Sequence, residues 1–387
     1  MKRTEFLPYA LPFIEEEEIN EVIDTLRSNW LSKGPKTIEF EKRFAKYVGA
    51  KHAIAMNSCT AALHIALIAN NIGEGDEVIT TPLTFAASAN TIIHTGATPV
   101  FADIDEKTMC IDPERIEEKI TSKTRAIVPV HYAGQSCDLD RINEIAKKHN
   151  LLVLEDAAHA VYTTHKGEMI GSIGDTTSFS FYATKNICTG EGGMLTTNND
   201  EIAEKARIMS LHGMSKNAWN RFGKGGSWSY DILYPGYKYN MTDMQASLGL
   251  CQLNKIQSMQ DIRKEYADIY NDAFGKLQEI ITPCEIEGNR HAWHLYVIRI
   301  KEEMLTIDRN KFIDCLADEN IGTSVHYTPV HLHPYYEEKF GYKYGDFPIA
   351  EKVFESMISI PLYPSMKKQD LEDVINAVTR IVEEHRK

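Results

Sequence analysis

The sequence predicts an α/β fold in which a mostly parallel sheet is covered by helices on both faces, followed by a smaller α+β domain. Short apolar stretches with strand character alternate with helical stretches through most of the chain, and this alternation is typical of parallel sheets. The length of 387 residues exceeds what one hydrophobic core usually supports, so we expect a large domain and a smaller one. No repeat of 20 to 50 residues is visible that would indicate a solenoid or propeller.

The N-terminal part of the chain is predicted to be helical. From Ile19 to Trp30 the apolar residues follow helical spacing, and the four glutamates at residues 15–18 suit a helix N-terminus, whose dipole favours negative charge. A second helix is predicted over residues 37–48.

The strands of the predicted sheet follow in order. They are KHAIAMNS, DEVITT, TPVFADI, RAIVPVHYAG, LLVLEDAA and the pair TTSFSFY and GGMLTTN, with helices such as TAALHIALIANN and LDRINEIAKKHN between them. A long helix that begins near MTDMQASLGL leads the chain out of this sheet. In the smaller unit, AWHLYVIRI and GTSVHYTPVH are predicted as strands, and KQDLEDVINAVTRIVEEH is predicted as the closing amphipathic helix. We place the large domain at residues 1–255 and the small domain at residues 256–387.

The composition argues against several classes of function. A formal net charge of −13 without a basic block disfavours binding to nucleic acid or to an anionic membrane. No apolar segment approaches the roughly 18 residues that span a bilayer. Seven cysteines are scattered without a CxxC pair, and the N-terminal stretch lacks the uninterrupted apolar core of a signal peptide. We therefore expect a cytoplasmic protein with reduced thiols.

Four conspicuous side chains follow predicted strands. Thr60 opens the helix after the first strand, Phe85 follows the second, Asp156 ends LLVLED, and Lys185 lies between SFSFYAT and the turn TGEGG. Ligands of parallel α/β sheets collect where the carboxyl ends of the strands meet. These four residues are therefore expected near one another.

Each of these residues also has an ordinary structural interpretation. Thr60 could simply cap a helix, Asp156 could pair with a structural cation, Phe85 could be a core residue, and Lys185 could be a surface lysine. Taken together with the hydroxyl of Ser180, however, they supply what pyridoxal 5'-phosphate (PLP) requires. The helix start binds phosphate, the carboxylate keeps the pyridine nitrogen protonated, and the lysine attaches to the cofactor and then acts as a base.

Several longer motifs occur along the chain in a fixed order: NSCTAALHIAL, EDAAHA, SFSFYATKNICTGEGG, GYKYNMTDMQASLGL and HAWHLYVIRI. Through them the chain resembles the DegT/DnrJ/EryC1/StrS family of sugar aminotransferases over essentially its whole length. The resemblance implies a PLP-dependent transferase of fold type I, similar to aspartate aminotransferase, that is active as a homodimer with shared active sites.

The resemblance also implies roles for individual residues around the cofactor ring. Lys185 would form the Schiff base with PLP, and Asp156 would pair with the pyridinium nitrogen. Phe85 would cover the ring, and His159 would lie near the oxygen of the ring.

The phosphate-binding positions of the family are matched by Thr60, by Ala61 through its N–H group, and by Ser180. Asn240 matches an asparagine that reaches the phosphate of the neighbouring subunit. One departure is a tyrosine, Tyr182, where close relatives often carry histidine, and it bears on substrate preference.

The resemblance implies a nucleotide-sugar aminotransferase. L-Glutamate would give its amino group and leave as 2-oxoglutarate, and a keto sugar on a nucleotide diphosphate would accept it. HYAG, EDAAHA, GYKYN and HAWHL are most similar to the UDP-4-amino-4-deoxy-L-arabinose aminotransferase branch. This likeness implies a 4-keto UDP-sugar and a role in cell-surface glycan or related amino-sugar biosynthesis. His331 matches a loop that borders the sugar site, and a surface position is its alternative.

Two other functions remain open. A PLP-dependent sugar dehydratase of the same fold is disfavoured, because such relatives carry histidine in place of the lysine at Lys185. A non-catalytic regulatory or binding protein is disfavoured by the intact set of Lys185, Asp156 and Thr60.

Some further signals are given ordinary interpretations. The histidines of HAWH and HLH are not expected to bind a metal, because no set of Cys, Asp or Glu at ligand spacing accompanies them. Cys188 is expected to be a packed side chain rather than a nucleophile. Trp219 and Trp228 lie in a polar, glycine-bearing loop, where they could line a binding surface or pack.

Overall fold

The structure, a computed structural model, describes residues 2–215 and 230–387. Trp219 and Trp228 lie outside the described residues. The helices are α1 (Glu16–Arg27), α2 (Pro35–Val48), α3 (Cys59–Ala69), α4 (Ala87–His94), α5 (Pro113–Glu118), α6 (Leu139–His149), α7 (Asp200–Met209), α8 (Asp243–Phe274), α9 (Arg309–Asp318), α10 (Pro334–Phe340), α11 (Pro348–Ser356) and α12 (Lys368–His385). The strands are β1 (His52–Met56), β2 (Glu77–Thr80), β3 (Thr98–Phe101), β4 (Thr124–Val128), β5 (Leu152–Asp156), β6 (Thr164–His165), β7 (Glu168–Met169), β8 (Thr176–Ser180), β9 (Gly193–Thr197), β10 (Ile280–Ile281), β11 (Tyr296–Ile300) and β12 (Met357–Ile360).

A seven-stranded sheet forms the centre of the molecule, with strand order β1-β9-β8-β5-β4-β2-β3. The pairs from β3 to β8 are parallel, and β9 runs antiparallel to both of its neighbours, β1 and β8. Nearly every residue of these strands is buried, as expected for a sheet covered on both faces. The predicted α/β class and the predicted strand pair TTSFSFY and GGMLTTN are confirmed.

A second, antiparallel sheet has the strand order β10-β11-β12. AWHLYVIRI contributes β11 as predicted, but the prediction of a strand in GTSVHYTPVH is wrong. In that stretch only Ser324 forms an isolated bridge, to Ser359 of β12, and the N–H of Val330 donates to the carbonyl of Pro82 at 2.8 Å. The segment therefore leaves the small sheet and runs to the large one, and the third strand is supplied by MISI of β12.

Helix α8 runs without interruption for 32 residues and joins two hydrophobic cores. The first core extends along it to Met259, and the second begins at Tyr266. The two cores thus meet a few residues beyond the predicted boundary at residue 255. In the described parts of the chain, no helix combines the length and apolar character needed to cross a bilayer.

Two segments contribute to the core formed mainly by the other part of the chain: the segment around Leu7 and residues 325–357. Leu7 belongs to the second core, and its N–H donates to the carbonyl of Asn320 at 2.8 Å. Conversely, Tyr336, which follows α8 in the chain, contacts α4: its hydroxyl donates to Oδ1 of Asn90 at 2.6 Å. Residues 325–357 accordingly contribute side chains to the first core, although they follow α8 in the chain.

Helix α1 is present as predicted, but its apolar side faces outward. Ile19 and Leu26 are 45% and 48% exposed, whereas Glu18 is fully buried. The buried carboxylate of Glu18 is matched by the ammonium group of Lys255 at 2.7 Å and by the amide of Gln252 at 2.8 Å. The helix is therefore attached to α8 through polar groups, and its apolar residues are left free for another contact.

Candidate active site

A cavity of about 510 Å³ opens where strands of the large sheet end. Its walls come from the residues that follow β1, β2, β5 and β8, together with two segments that follow α8 in the chain. The residues predicted from the sequence that line it are Thr60, Phe85, Asp156, His159, Ser180, Tyr182 and Lys185. The carboxyl edge of the sheet thus brings together side chains that are up to 125 positions apart in the sequence.

Asp156, the last residue of β5, is 4% exposed. One carboxylate oxygen accepts from the Ser88 hydroxyl at 2.7 Å, and the other accepts from the Ala158 N–H at 3.0 Å. Burial raises the pKa of Asp156, while these two hydrogen bonds and the nearby Lys185 ammonium oppose the rise. A carboxylate in this position is stabilised further by a cationic N–H group in the cavity.

Lys185 is half-buried against the cavity, and its Nζ lies 3.4 Å from Nε2 of His294. Burial lowers the pKa of Lys185 to about 8, against the opposing influence of Cys59 and Asp156. A substantial fraction of the amine is therefore neutral near physiological pH, which is the form that attacks carbonyl carbon.

The first turn of α3 forms one end of the cavity. Ser58, not Thr60, is the N-cap, because its hydroxyl accepts from the Ala61 N–H at 3.1 Å. Thr60 is exposed at the cavity, and the first-turn N–H groups of a helix have no acceptors within the helix. Ser180 lines the same cavity. The arrangement offers hydroxyl and amide donors to an anion, as expected for a phosphate site.

A close approach of backbone explains one glycine of TGEGG. Gly193 begins β9 directly beside the start of α3, and a Cβ atom built there would lie 2.4 Å from the carbonyl carbon of Ser58. Only glycine allows this spacing, so the turn both returns the chain to the sheet and brings β9 against the anion site.

His159 is held in one tautomer beside the cavity. Its Nδ1 accepts from the N–H of Ala133 at 3.2 Å, so Nε2 carries the proton and donates to the Tyr327 hydroxyl at 3.0 Å. Burial lowers the pKa of His159 well below its usual value, so the ring is neutral. Phe85 is 61% exposed and lies 5.8 Å from the ring of Tyr327, where it forms a flat apolar wall.

Among the site residues missed from the sequence, three belong to the segments that follow α8. Tyr327, His326 and His294 line the cavity, and all three follow α8 in the chain. His294 was considered only as a metal ligand. A strand interpretation of GTSVHYTPVH gave no reason to select His326 or Tyr327. The stretch HYTPVH did point to this loop, but it led to the wrong residue.

The prediction that His331 contacts the sugar requires correction. His331 is fully buried away from the cavity, and its Nε2 lies 2.9 Å from Oε1 of Glu351. Its ring packs against Phe347 with a centroid distance of 4.7 Å. The His331 side chain anchors the loop to the protein interior, while Tyr327 of the same loop faces the cavity.

Two predicted cofactor residues do not line the cavity. Ala61 is buried, and its N–H is already engaged by Ser58. Asn240 is 8% exposed beside the end of β1, and its Nδ2 donates to the carbonyl of Met241 at 3.1 Å. Its Oδ1 is buried and has no hydrogen-bond partner within residues 2–215 and 230–387.

The residues given ordinary interpretations are packed in the interior. Cys188 is 3% exposed, and His291 accepts from the Trp293 N–H at 2.8 Å. Over residues 2–215 and 230–387, no group of three or more His, Cys, Asp or Glu side chains is placed to hold a metal ion.

The cavity fits PLP in size and in chemistry. It combines a lysine with a lowered pKa, a buried carboxylate, a helix start with hydroxyl groups and an exposed aromatic plate. The fold and the site together are those of a PLP-dependent enzyme of fold type I.

The chain belongs to the DegT/DnrJ/EryC1/StrS aminotransferase family, whose family model matches residues 12–379. It is 60% identical over 382 residues to the spore coat polysaccharide biosynthesis protein SpsC of Bacillus subtilis, covering 98% of each chain.

Solved structures of aminotransferases share the fold. Spr1654 of Streptococcus pneumoniae, described as a sugar aminotransferase, was solved in a PLP-form that is 37% identical, with a TM-score of 0.91 over 98% of this chain and 99% of that one. Helicobacter pylori PseC, an aminotransferase involved in the biosynthesis of pseudoaminic acid, is 29% identical, with a TM-score of 0.91 over 98% and 100% of the two chains. The protein is accordingly a PLP-dependent sugar aminotransferase.

Proposed function

We propose that this sugar aminotransferase takes its amino group from L-glutamate and transfers it to a keto sugar carried by a nucleotide diphosphate. The observation that carries the proposal is the meeting of Lys185 and Asp156 in one cavity with an anion site at its end. A 4-keto UDP-sugar is the acceptor we expect. The relatives named for polysaccharide and pseudoaminic acid biosynthesis support a product used in cell-surface glycans.

The residues of the cavity are assigned as follows. Asp156 would hold the ring nitrogen of PLP, Phe85 would cover one face of the ring, and His159 would lie near the ring oxygen. Thr60 and Ser180 would bind the phosphate. Ala61 is retained as a weaker candidate for the phosphate, because its N–H group already donates to Ser58.

The bound cofactor supplies an electron sink that stabilises negative charge at the carbon bearing the amino group. Lys185 would attach to the cofactor and, once released, would take the proton from that carbon and deliver it to the cofactor carbon on the other side of the shared nitrogen. Burial favours this role, because it lowers the pKa of Lys185 to about 8 and so provides a neutral amine. Tyr182, which is 47% exposed at the cavity, is placed to contact the sugar.

We also propose a homodimer in which each site uses residues of both chains. Two observations support it. Asn240 does not line its own chain's cavity, and its buried amide oxygen has no hydrogen-bond partner among the residues that the structure describes. In addition, Ile19, Leu26, Trp30 and Ile38, on α1, the connection after it and α2, are between 45% and 60% exposed, and a group of exposed large apolar side chains is typical of an interaction surface.

The function is tested in two half-reactions with the PLP-loaded protein. L-Glutamate should bleach the visible absorbance of the bound cofactor and release one equivalent of 2-oxoglutarate. A panel of keto nucleotide sugars should then restore the absorbance, and mass spectrometry should identify the amino sugar formed.

Lys185→Ala is the test variant. Lys166→Ala is its matched control, because Lys166 is an exposed lysine paired with Asp140. Only Lys185→Ala should abolish both half-reactions. Loss of water from the sugar without transfer of nitrogen would instead identify a dehydratase. Failure of L-glutamate to bleach the absorbance would rule out glutamate as the donor.

A further inference from the structure

The side chain next to the reactive lysine is fixed by its surroundings. Asn186 is 4% exposed, and its Nδ2 donates to the backbone carbonyl of Ala292 at 2.7 Å. A carbonyl oxygen can only accept, so this contact determines which end of the amide is the nitrogen. The amide oxygen of Asn186 is then the atom that lies 3.0 Å from Nδ1 of His294.

This contact determines the tautomer of His294. Because the Asn186 oxygen can only accept, Nδ1 of His294 must carry the proton. A neutral imidazole has one such proton, so Nε2 presents a lone pair, and that lone pair faces Nζ of Lys185 at 3.4 Å. Burial lowers the pKa of His294 well below its usual value, and the charge of Lys185 lowers it further, so the ring stays neutral.

We propose that His294 is a positioning residue for Lys185: its Nε2 accepts a hydrogen bond from Nζ whenever the amine is not attached to the cofactor. The released amine is thereby held at the cavity wall instead of adopting the many rotamers open to a free lysine side chain. The proposal rests on the proposed function for the importance of Lys185, but the hydrogen bond itself does not.

The other groups that face Lys185 are less suited to this role. Asp156 already accepts from two donors, and both ring nitrogens of His159 are engaged by neighbours. The Nδ1 of His326 lies 2.8 Å from the hydroxyl of Ser359 on the small sheet. Cys59 is a further neighbour, and burial keeps its thiol protonated by raising its pKa.

The tautomer can be measured directly in the cofactor-free protein. Nitrogen-15 chemical shifts of the imidazole rings should show His294 protonated at Nδ1, although free histidine in water prefers Nε2. A His294→Gln variant assigns the signal. Protonation of His294 at Nε2, or at both nitrogens at neutral pH, would overturn the proposal.

The effect on Lys185 is measured as the pH midpoint for its labelling by an amine-reactive reagent, with peptide mass spectrometry of the cofactor-free protein as the readout. A hydrogen bond to a neutral acceptor stabilises the ammonium form and raises the pKa. His294→Leu should therefore lower the midpoint by about one pH unit. His294→Gln, which keeps an acceptor oxygen, should give less than half of that shift.

His291→Leu is the matched control, because His291 is buried nearby and is bonded to the Trp293 N–H rather than to Lys185. It should leave the midpoint unchanged. Equal midpoints for wild type and His294→Leu, or equal shifts for the Leu and Gln variants, would contradict the proposal. Both measurements use protein without PLP, so they are independent of the outcome with L-glutamate.

Discussion

Burial acts in opposite directions on the two ionisable residues that face each other in the cavity. It raises the pKa of Asp156 and lowers the pKa of Lys185 to about 8. Both shifts favour the uncharged forms when no cofactor is bound. A protonated pyridine ring beside Asp156 would supply the missing positive charge, so the site is electrostatically prepared for a ligand with a cationic nitrogen.

Asp156→Asn tests whether the carboxylate of Asp156 stabilises a protonated ring nitrogen. The amide keeps the shape but cannot hold the ring nitrogen in its charged form, so the half-reaction with L-glutamate should slow by about 10²- to 10³-fold. Stopped-flow absorbance measures it. Ser88→Ala is the control, because it removes one hydrogen bond to the carboxylate and keeps its charge; it should cost less. A wild-type rate for Asp156→Asn would reduce Asp156 to a structural residue.

The pKa of Lys185 also predicts how PLP loading depends on pH. Only the neutral amine attacks the cofactor aldehyde. The loading rate of cofactor-free protein should therefore rise about tenfold per pH unit below pH 8 and level off above it. The appearance of visible absorbance after mixing gives the rate.

The reference for this experiment is the reaction of PLP with Nα-acetyl-lysine, whose side-chain amine is free, under the same conditions. PLP undergoes the same ionisations in both reactions, so a difference between the two pH profiles reflects the amine. The rate with Nα-acetyl-lysine should continue to rise toward pH 10, where an unperturbed lysine titrates. A protein profile that follows that of Nα-acetyl-lysine would show that burial does not perturb Lys185.

At the scale of elements, the junction of α3 and β9 shapes the anion site. Gly193→Ala would place a methyl group 2.4 Å from the backbone of Ser58, and backbone cannot move aside cheaply. The substitution should destabilise the protein by about 1–3 kcal/mol and weaken binding of PLP. Thermal unfolding and cofactor titration measure the two effects.

Gly73→Ala is the matched control, because an added Cβ at Gly73 meets only one atom within 4 Å, at 3.7 Å. It should leave both quantities near the wild-type values. Unchanged stability and affinity in Gly193→Ala would mean that β9 and α3 can separate without consequence.

Periodicity in the sequence was sufficient to predict the elements of the central sheet, because buried parallel strands form short apolar runs that turns and helices interrupt. It failed for GTSVHYTPVH, in which apolar and polar residues also alternate. In that segment the side chains lie in two different environments: Val330 packs into the first core, and Tyr327 faces the cavity. Pairing with a distant strand cannot be read from a single segment, which is why β12 was missed.

The same limit applies to the candidate site. Residues at the ends of strands could be predicted, because the fold class determines where such ends meet. Ser88 and His294 could not, since their roles depend on contacts across 68 and 109 positions of sequence. His331 was selected for its motif, yet its side chain points into the protein interior.

At the scale of the whole molecule, the outward apolar face of α1 predicts association. Leu26→Glu should convert a dimer into a monomer, because it places a charge in the proposed interface. Sedimentation velocity measures the change. Tyr335→Glu is the control, because Tyr335 is also about half exposed but lies in α10. A wild-type monomer at micromolar concentration would contradict the proposed homodimer.

Shared active sites give a second test of the dimer. Lys185→Ala and a strongly impaired Asn240→Ala variant, mixed under conditions where subunits exchange, should recover partial activity. In a mixed dimer one site would carry both lesions and the other neither. If Asn240 serves only its own chain, every site keeps one lesion and no activity returns. Exchange is verified with differently tagged subunits.

The crossing of chain segments between the two cores has a consequence for biosynthesis. Leu7 leaves the ribosome long before residues 320 and 322, with which it forms backbone hydrogen bonds. The cavity likewise needs Tyr327, and the two cores include residues as late as Met357 and Val382, so neither core is complete before these residues have been synthesised. A nascent chain that stops at residue 255 would lack the side chains that residues 325–357 contribute to the first core, and it should depend on chaperones for solubility. The two cores are therefore expected to close together, after the segments that follow α8 have been synthesised, rather than one domain at a time.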